Sequence, residues 1–255
     1  MQLSAQDILA SAPFATRLSQ EHTARLARDV VLREYEAGAW ICRKGASAEN
    51  WMGVVDGTVK IQAVSSEGRG TTLATFTRGC WFGEGTLLKE EPWPFDAVAL
   101  SNAKLALVRA STFNWLLDNS FPFNRFIIDQ LNARLGQFIS RCEHARLHQT
   151  DQHVAHCIAE LLDPRLYPLP DTPLLRMSQE ELGNLAGVSR AKVNQVLHEL
   201  SRSGIIQVSY GGIVLIDPEG LRRFSESPHH LERRTAALTE RARTPALRRY
   251  KRLAD

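Results

Sequence analysis

The sequence predicts an α+β chain in three parts: an antiparallel β-roll of the jelly-roll type, then one long helix, then a pair of short helices backed by a β-hairpin. Three observations carry this. Between Val30 and Val108, short apolar-alternating runs are separated by glycines at regular intervals, the pattern of short antiparallel strands. From Phe121 to about His148, apolar residues recur alternately three and four apart. From Met177 to Leu200, two runs with helical apolar spacing meet at a glycine.

Length and composition bound the reading. The chain has 255 residues, 44% hydrophobic and 23% charged. That suits two modest domains of about 100–200 residues each with ordinary cores. No apolar run approaches the ~20 residues of a membrane span. The start, MQLSAQDILASAPFATRL, lacks a basic segment followed by a sustained apolar one, so a cytoplasmic location is expected. Cys42, Cys80, Cys142 and Cys157 are scattered without a CxxC spacing. Reduced, mostly buried thiols are expected, and no iron–sulfur cluster. There is no nucleophile–base pairing, metal motif or phosphate-binding loop, so no enzymatic activity is expected.

Residues from about Ser4 to Asp29 read as short helices, with Leu18, His22, Leu26 and Ala27 on one side. The clearest part of the β region is MGVVDGTVKIQAV, two β-rich runs meeting at Asp56-Gly57, which predicts a hairpin. Strand patterning breaks at FGEGTLLKEEPWPFDAVAL. There Gly83 allows close backbone approach, Glu84 offers a carboxylate, and Gly85 and Thr86 add N–H groups that can cradle an anion or a sugar. An ordinary irregular loop has the same composition.

The long helix presents Ile128, Leu131, Leu135, Phe138, Cys142 and Ala145 as a heptad seam. About 28 residues of helix extend about 42 Å, more than one small domain needs, so a seam between two copies is expected. Thr150 and Asp151 offer a cap for another helix, broken at Asp163-Pro164, and the Pro-rich stretch LYPLPDTP follows.

In MSQEELGNLAGVSRAKVNQVLHEL, Ser178 with Glu181 predicts a capping box. Leu182, Leu185 and Ala186 give the first helix its apolar face, and Gly187 supplies the turn. Ser189 caps a second helix whose Val193, Val196, Leu197 and Leu200 face inward. Its outer face is Arg190, Ala191, Asn194 and Gln195, with Lys192 beside it. Arg pairs with guanine edges and Asn or Gln with adenine edges, so this is the layout of a DNA-recognition helix. A helical hairpin with a merely solvated face is the plainer reading. Ser203-Gly204 ends the helix. IIQVSYGGIVLI behind it reads as a hairpin about Gly211-Gly212, a wing, and Asp217-Pro218 starts one more helix. The stretch from Arg222 to Asp255 holds ten Lys/Arg and four acids, against a whole-chain charge of +3. Such a tail adds sequence-independent phosphate attraction, or is a solvated extension.

Together these parts resemble the Crp/Fnr family of bacterial transcription regulators over about residues 10–225. YEAGAWICRKGASAENWMGVVDGTVKI resembles the family's entry into its β-roll, and SQEELGNLAGVSRAKVNQVLHELSRSGII its helix-turn-helix. GCWFGEGTLL resembles the cassette that holds ribose and phosphate in cyclic-nucleotide-binding members. The resemblance implies a sensor roll over residues 1–120, a dimerisation helix over 121–150, a winged helix-turn-helix over 151–225 and a basic tail over 226–255.

It also marks departures. Cyclic-nucleotide binders place an Arg about ten residues after the cassette Glu, to pair with the cyclic phosphate. Here the stretch is Pro92-Trp93-Pro94-Phe95-Asp96-Ala97, with no Arg and an added acid. The Thr-Ser pair that faces adenine in the cyclic-AMP sensor is matched by Phe138 and Ile139. Cyclic AMP is therefore not expected by the usual mode. An effector of unknown identity would sit among Phe82, Gly83, Glu84, Gly85, Thr86, Trp93, Phe95 and Phe138, with Trp81 alongside, or those side chains fill the space themselves. The N-terminal cysteine cluster of oxygen-sensing members is missing. His144 with His148, and His153 with His156, have spacings that can ligate metal but equally suit surface histidines; no metal or cofactor is expected.

The resulting expectation is a dimeric, sequence-specific DNA-binding regulator. Ser178, Gln179, Ser189 and Lys192 would contact phosphates, while Arg190, Ala191, Asn194 and Gln195 face base edges. The resemblance adds RNA polymerase as a partner. A sensor acting mainly through protein contacts is the competing function.

Overall fold

A computed structural model describes residues 5–68, 70–163, 167, 174–209 and 212–226. The basic tail, most of the Pro-rich linker and part of the wing's turn lie outside the described residues. Helices α1 (Ala5–Ala10) and α2 (Gln20–Asp29) flank a 3-10 turn at Ala15–Arg17. Ser19 caps α2, its Oγ accepting from His22 N at 3.2 Å.

Eight strands then form the roll. β1 (Val31–Tyr35), β8 (Ala103–Arg109), β3 (Asn50–Asp56) and β6 (Trp81–Phe82) make one antiparallel sheet, in that order. β2 (Trp40–Cys42), β7 (Asp96–Ala99), β4 (Thr58–Val64) and β5 (Gly70–Thr77) make the other. The expected hairpin at Asp56-Gly57 is corrected here. The turn is tight, and Gly57 takes φ +82°, but β3 and β4 belong to different sheets. The chain switches sheets there because Trp51 to Val55 are buried without a break, so β3 is covered on both faces. A strand covered on both faces does not show the alternation of a half-exposed hairpin. The true hairpin is β4–β5, running from Thr58↔Thr77 to Val64↔Gly70.

One core fills the roll, with Met52, Val54, Val59, Ile61, Phe76, Phe82, Leu105 and Leu107. A second core lies on the outer face of the β3 sheet, under the flanking helices. Trp81 was expected beside the effector and is instead part of this second core. Its ring lies 4.3 Å from Trp51 and 5.0 Å from Phe14, and Phe123 and Phe126 complete the cluster. Gly53 makes room for it, since a Cβ there would stand 2.5 Å from the indole.

Helices α3 (Glu84–Lys89) and α4 (Ala110–Asn119) precede the long α5 (Phe121–Leu147). Ser120 caps α5, with its Oγ 3.4 Å from Phe123 N. The first turns of α5 are buried through Phe123, Phe126 and Ile127; beyond them the apolar row is open. Ile128, Leu135, Phe138, Cys142 and Ala145 are exposed, and Leu131 is half-buried against the helical cluster.

α6 (Thr150–Glu160) follows after a sharp bend. Its cap is Gln149 rather than Thr150 or Asp151: Gln152 Oε1 reaches back to Gln149 N at 2.9 Å. Then come β9 (Leu174–Leu175), α7 (Gln179–Ala186), α8 (Arg190–Arg202), β10 (Ile206–Ser209), β11 (Gly212–Leu215) and α9 (Pro218–Glu226). β9 was not expected; it pairs with β11 and makes the wing three-stranded, in the order β10-β11-β9. Asp217 caps α9 as expected, accepting from Gly220 N at 2.8 Å.

Candidate nucleic-acid interface and sensor cassette

The two short helices α7 and α8 meet through a tight turn. Gly187 takes φ +67°, a region costly to residues with a Cβ. Gly183 is required by contact, because a Cβ there would stand 2.8 Å from the Val188 carbonyl oxygen. Leu182, Leu185, Val193, Val196, Leu197 and Leu200 are buried together. With those residues inward, Arg190, Ala191, Asn194, Gln195 and His198 are exposed on the outer side of α8, and Lys192 is half-buried. His198 was not singled out from the sequence; its helical spacing from Asn194 and Gln195 is the signal that places it there.

Both serines act as helix caps. Ser178 Oγ accepts from Glu181 N at 3.1 Å, and Ser189 Oγ from Lys192 N at 3.2 Å. Each hydroxyl hydrogen stays available to donate to a phosphate oxygen. Asn194 Nδ2 donates to Gln179 Oε1 at 3.1 Å, joining the starts of the two helices' outer faces. Lys192 Nζ lies 2.5 Å from Asp151 Oδ1 and 3.5 Å from Gln195 Oε1. Its charge is thus tied to the first turn of α6.

The capping box is only half formed. Glu181 sends its carboxylate across to the roll, accepting from Lys60 Nζ at 2.8 Å and Thr72 Oγ1 at 3.1 Å. Thr71 Oγ1 donates to Asn184 O at 3.2 Å beside it. A half-buried cation is a stronger partner for a carboxylate than the backbone N–H of its own helix. No sequence pattern links Lys60 to Glu181, so this contact between roll and helix-turn-helix was not foreseen.

In the roll, Gly83 takes φ +98° and lies under Trp93, with 3.3 Å between a built Cβ and the indole. Glu84 is only 4% exposed, and Arg134 of α5 brings its Nε to 3.3 Å from Oε1. The same guanidinium donates to Trp81 O at 2.6 Å, joined there by Gln130 at 2.9 Å. It also lies 4.5 Å over the Phe76 ring, which stacks on Phe82 at 4.7 Å. Arg134 was missed because an arginine on a long helix reads as solvated until the helix is docked.

The rest of the expected effector lining divides. Phe82, Glu84, Thr86 and Trp93 are buried. Gly85 is half-buried. Phe95 is 40% exposed, and Phe138 lies on the open apolar row of α5 with Arg141 5.8 Å above its ring. Phe138 therefore does not line the cassette in the single chain. Asp96, the acid found where a phosphate partner is missing, accepts from Lys44 N at 2.8 Å and so ties down the neighbouring loop. Among the described residues, clefts of about 610 and 980 Å³ lie elsewhere: between α5, α6 and α9, and between the roll and the helix-turn-helix.

The pattern of the cyclic nucleotide-binding domain matches residues 32–120, and that of the Crp-like helix-turn-helix domain matches residues 152–224. The chain belongs to the Crp/Fnr family. It is similar to the transcriptional regulator SdrP of Thermus thermophilus, 29% identical over 68% of this chain and 83% of that protein. The cyclic AMP receptor protein of the same organism is 26% identical over 71% of this chain and 82% of its own length. Among solved structures, FixK2 from Bradyrhizobium japonicum shares the fold, with a TM-score of 0.67 at 21% identity, covering 76% of this chain and 96% of that one. The chain is accordingly a Crp/Fnr-type transcription regulator with a helix-turn-helix DNA-binding domain.

Among the described residues no helix is long and apolar enough to cross a membrane, and no group of three or more His, Cys, Asp or Glu is placed to hold a metal ion. The first histidine pair lies together as its spacing suggests, and His156 joins it instead of pairing with His153. His144 stacks on His148 and on His156, while His153 faces Cys157, with 3.9 Å between Nε2 and Sγ.

Proposed function

We propose that this regulator works as a cytoplasmic homodimer that reads a palindromic DNA site with α8, without cyclic AMP held in the usual mode. The observation that carries the reading is the exposed outer face of α8, where Arg190, Asn194 and Gln195 stand clear of the core. Arg190 pairs with a guanine, worth about 1–3 kcal/mol of discrimination, and Gln195 favours an adenine. Ser178, Gln179, Ser189, Lys192 and the wing hold the phosphates, and the tail 226–255 adds charge.

Two exposed apolar faces of α5, meeting about a two-fold axis, form the dimer. Leu135 is 58% and Ile139 60% exposed in the single chain, which supports a second copy covering them. Half-site centres then lie about 34 Å apart, one turn of DNA. RNA polymerase is the further partner.

On the sensor side, the Arg that would meet a cyclic phosphate is missing, and Trp93 and Asp96 are committed to packing and loop closure. Relatives named for cyclic AMP keep that property as their own. The test is selection from randomised duplex DNA at fixed salt, with and without cyclic AMP. A palindrome selected without the nucleotide, and made degenerate at one base pair of each half-site by Arg190→Ala with the fold intact, is the expected result. Strict dependence on cyclic AMP refutes the sensor reading, and no selected sequence refutes the DNA reading.

A further inference from the structure

We propose that the bend between α5 and α6 is a proton-sensitive latch, in which protonation of His144 within a stack of three imidazoles loosens the joint between the roll and the helix-turn-helix. His144 lies in the last turn of α5 and His148 is the helix's C-cap, and His156 comes across from α6. The His144 ring is the middle of the stack. It lies 3.6 Å from His156 with 4° between the planes, and 4.2 Å from His148 with 13°. Uncharged rings pack well at these separations; a charged ring in the middle faces any further charge on either neighbour at van der Waals distance.

The surroundings do not rescue a charge on His144. The residue is 9% exposed, and its buried Nδ1 has no hydrogen-bond partner. Around it stand His148 at the C-cap of α5 and His153, His156 and Glu160 on α6, with Arg141 of α5 acting on His153. Arg222 and Glu226 of α9 line the same cleft, as does Asp163. The nearest acid is already engaged: Glu160 Oε2 meets Arg141 Nε at 2.9 Å, and Oε1 lies 3.3 Å from His156 Nε2. Glu160 is thus held by Arg141 and His156, whose Nε2 also meets Ser140 Oγ at 3.0 Å, rather than turned to His144. Burial foremost, then His156, His148 and His153, push the His144 imidazole down to about 4, with Glu160 opposing least. Burial and His156 also lower His153, against the pull of the Ala186 carbonyl.

The sign follows from linkage. A histidine depressed in the closed form takes its proton in the released form, so closure is fully supported above the ordinary value of 6.5 and is lost as pH falls toward 4. For this one proton, the ratio of released to closed joint rises about tenfold between about pH 7.5 and about pH 5.5. The location makes that shift consequential. α6 packs on α7, α8 and α9, and Lys192 of the recognition helix pairs with Asp151 in the first turn of α6. The consequence for DNA rests on the function proposed above; the latch itself does not.

Hydrogen exchange of the full chain without DNA tests it, following the amides of α6 at both pH values after correction for intrinsic rates. The expected result is a loss of protection of at least about tenfold at the lower pH in the native chain, and a clearly smaller loss in His144→Phe, which keeps a flat ring without a titrating nitrogen and leaves only His153 to respond. No acid response in the native chain, or the same response in His144→Phe, overturns the proposal. Should His144→Phe fail to fold, the NMR titration of His144 in the native chain decides. A midpoint at the ordinary 6.5 overturns the latch. A ring that stays neutral well below that, and whose midpoint rises in His156→Gln, supports it. Neither measurement involves DNA, so failure of the latch and failure of the DNA reading remain distinguishable.

Discussion

Replacing Glu181 with Ala removes the acceptor that Lys60 and Thr72 share across the boundary between roll and helix-turn-helix. The side chains of Lys60 and Glu181 are 14% and 18% exposed. Breaking a fully buried pair costs about 3–5 kcal/mol, while a solvated pair is worth about 0–1 kcal/mol. Lys60 regains some water through its exposed fraction, so the expected loss is about 2 kcal/mol. For a chain of this size that lowers the melting temperature by about 4–8 °C. A smaller loss, about 0.3–1 kcal/mol, comes from removing an acid from the first turn of α7 and has nothing to do with Lys60. Glu180 remains in that turn. A double-mutant cycle with Lys60→Ala separates the two, and a coupling of about 1–2 kcal/mol is expected from denaturant melts. If the two substitutions add within about 0.3 kcal/mol, the ion pair does not join the domains and the reasoning fails.

The remaining predictions are simpler. Gly183→Ala places a Cβ 2.8 Å from the Val188 carbonyl, which cannot retreat without disturbing its own turn; the cost is about 1–3 kcal/mol by thermal melt. Leu135→Glu combined with Ile139→Glu, both on exposed positions, leaves helical content unchanged and converts the proposed dimer to monomer in sedimentation. In competition binding, Arg190→Ala relaxes specificity at one base pair by about 1–3 kcal/mol, whereas Lys192→Ala weakens all sequences alike and lowers the salt slope by about one. Burial pushes the Cys42 and Cys157 thiols up to about 12, so both resist iodoacetamide at pH 8, whereas Cys142, exposed in the single chain, is alkylated in the monomeric Leu135→Glu/Ile139→Glu variant, as peptide mass mapping will show.

Much of the architecture was legible because it is written in short-range chemistry. The cap at Ser178, the left-handed Gly187, the inward row Val193–Val196–Leu197–Leu200 and the Asp217 cap all depend on residues within one or two turns of each other. The exposed outer face of α8 follows from the same periodicity, since burying one side of a helix leaves the opposite side out. The apolar row of α5 was likewise visible; apart from Leu131, which packs on the helical cluster, it is exposed in the single chain.

What the sequence determined by itself, then, was the order of the three parts and which side of the long helix and of the two short helices is apolar. Tertiary structure decided which polar atoms meet. Asp56-Gly57 is a turn by local chemistry, but burial on both faces of β3 makes it a crossing between sheets. Glu181 looks like a capping acid until β4 and β5 bring Lys60 and Thr72 within reach. Glu84 meets Arg134 only because α5 lies across the roll, and the three imidazoles stack only because α6 folds back on α5. The reason is physical. Propensity and periodicity act over a few residues, whereas a buried charge takes whichever partner the packed elements place within about 3–4 Å, however distant in sequence.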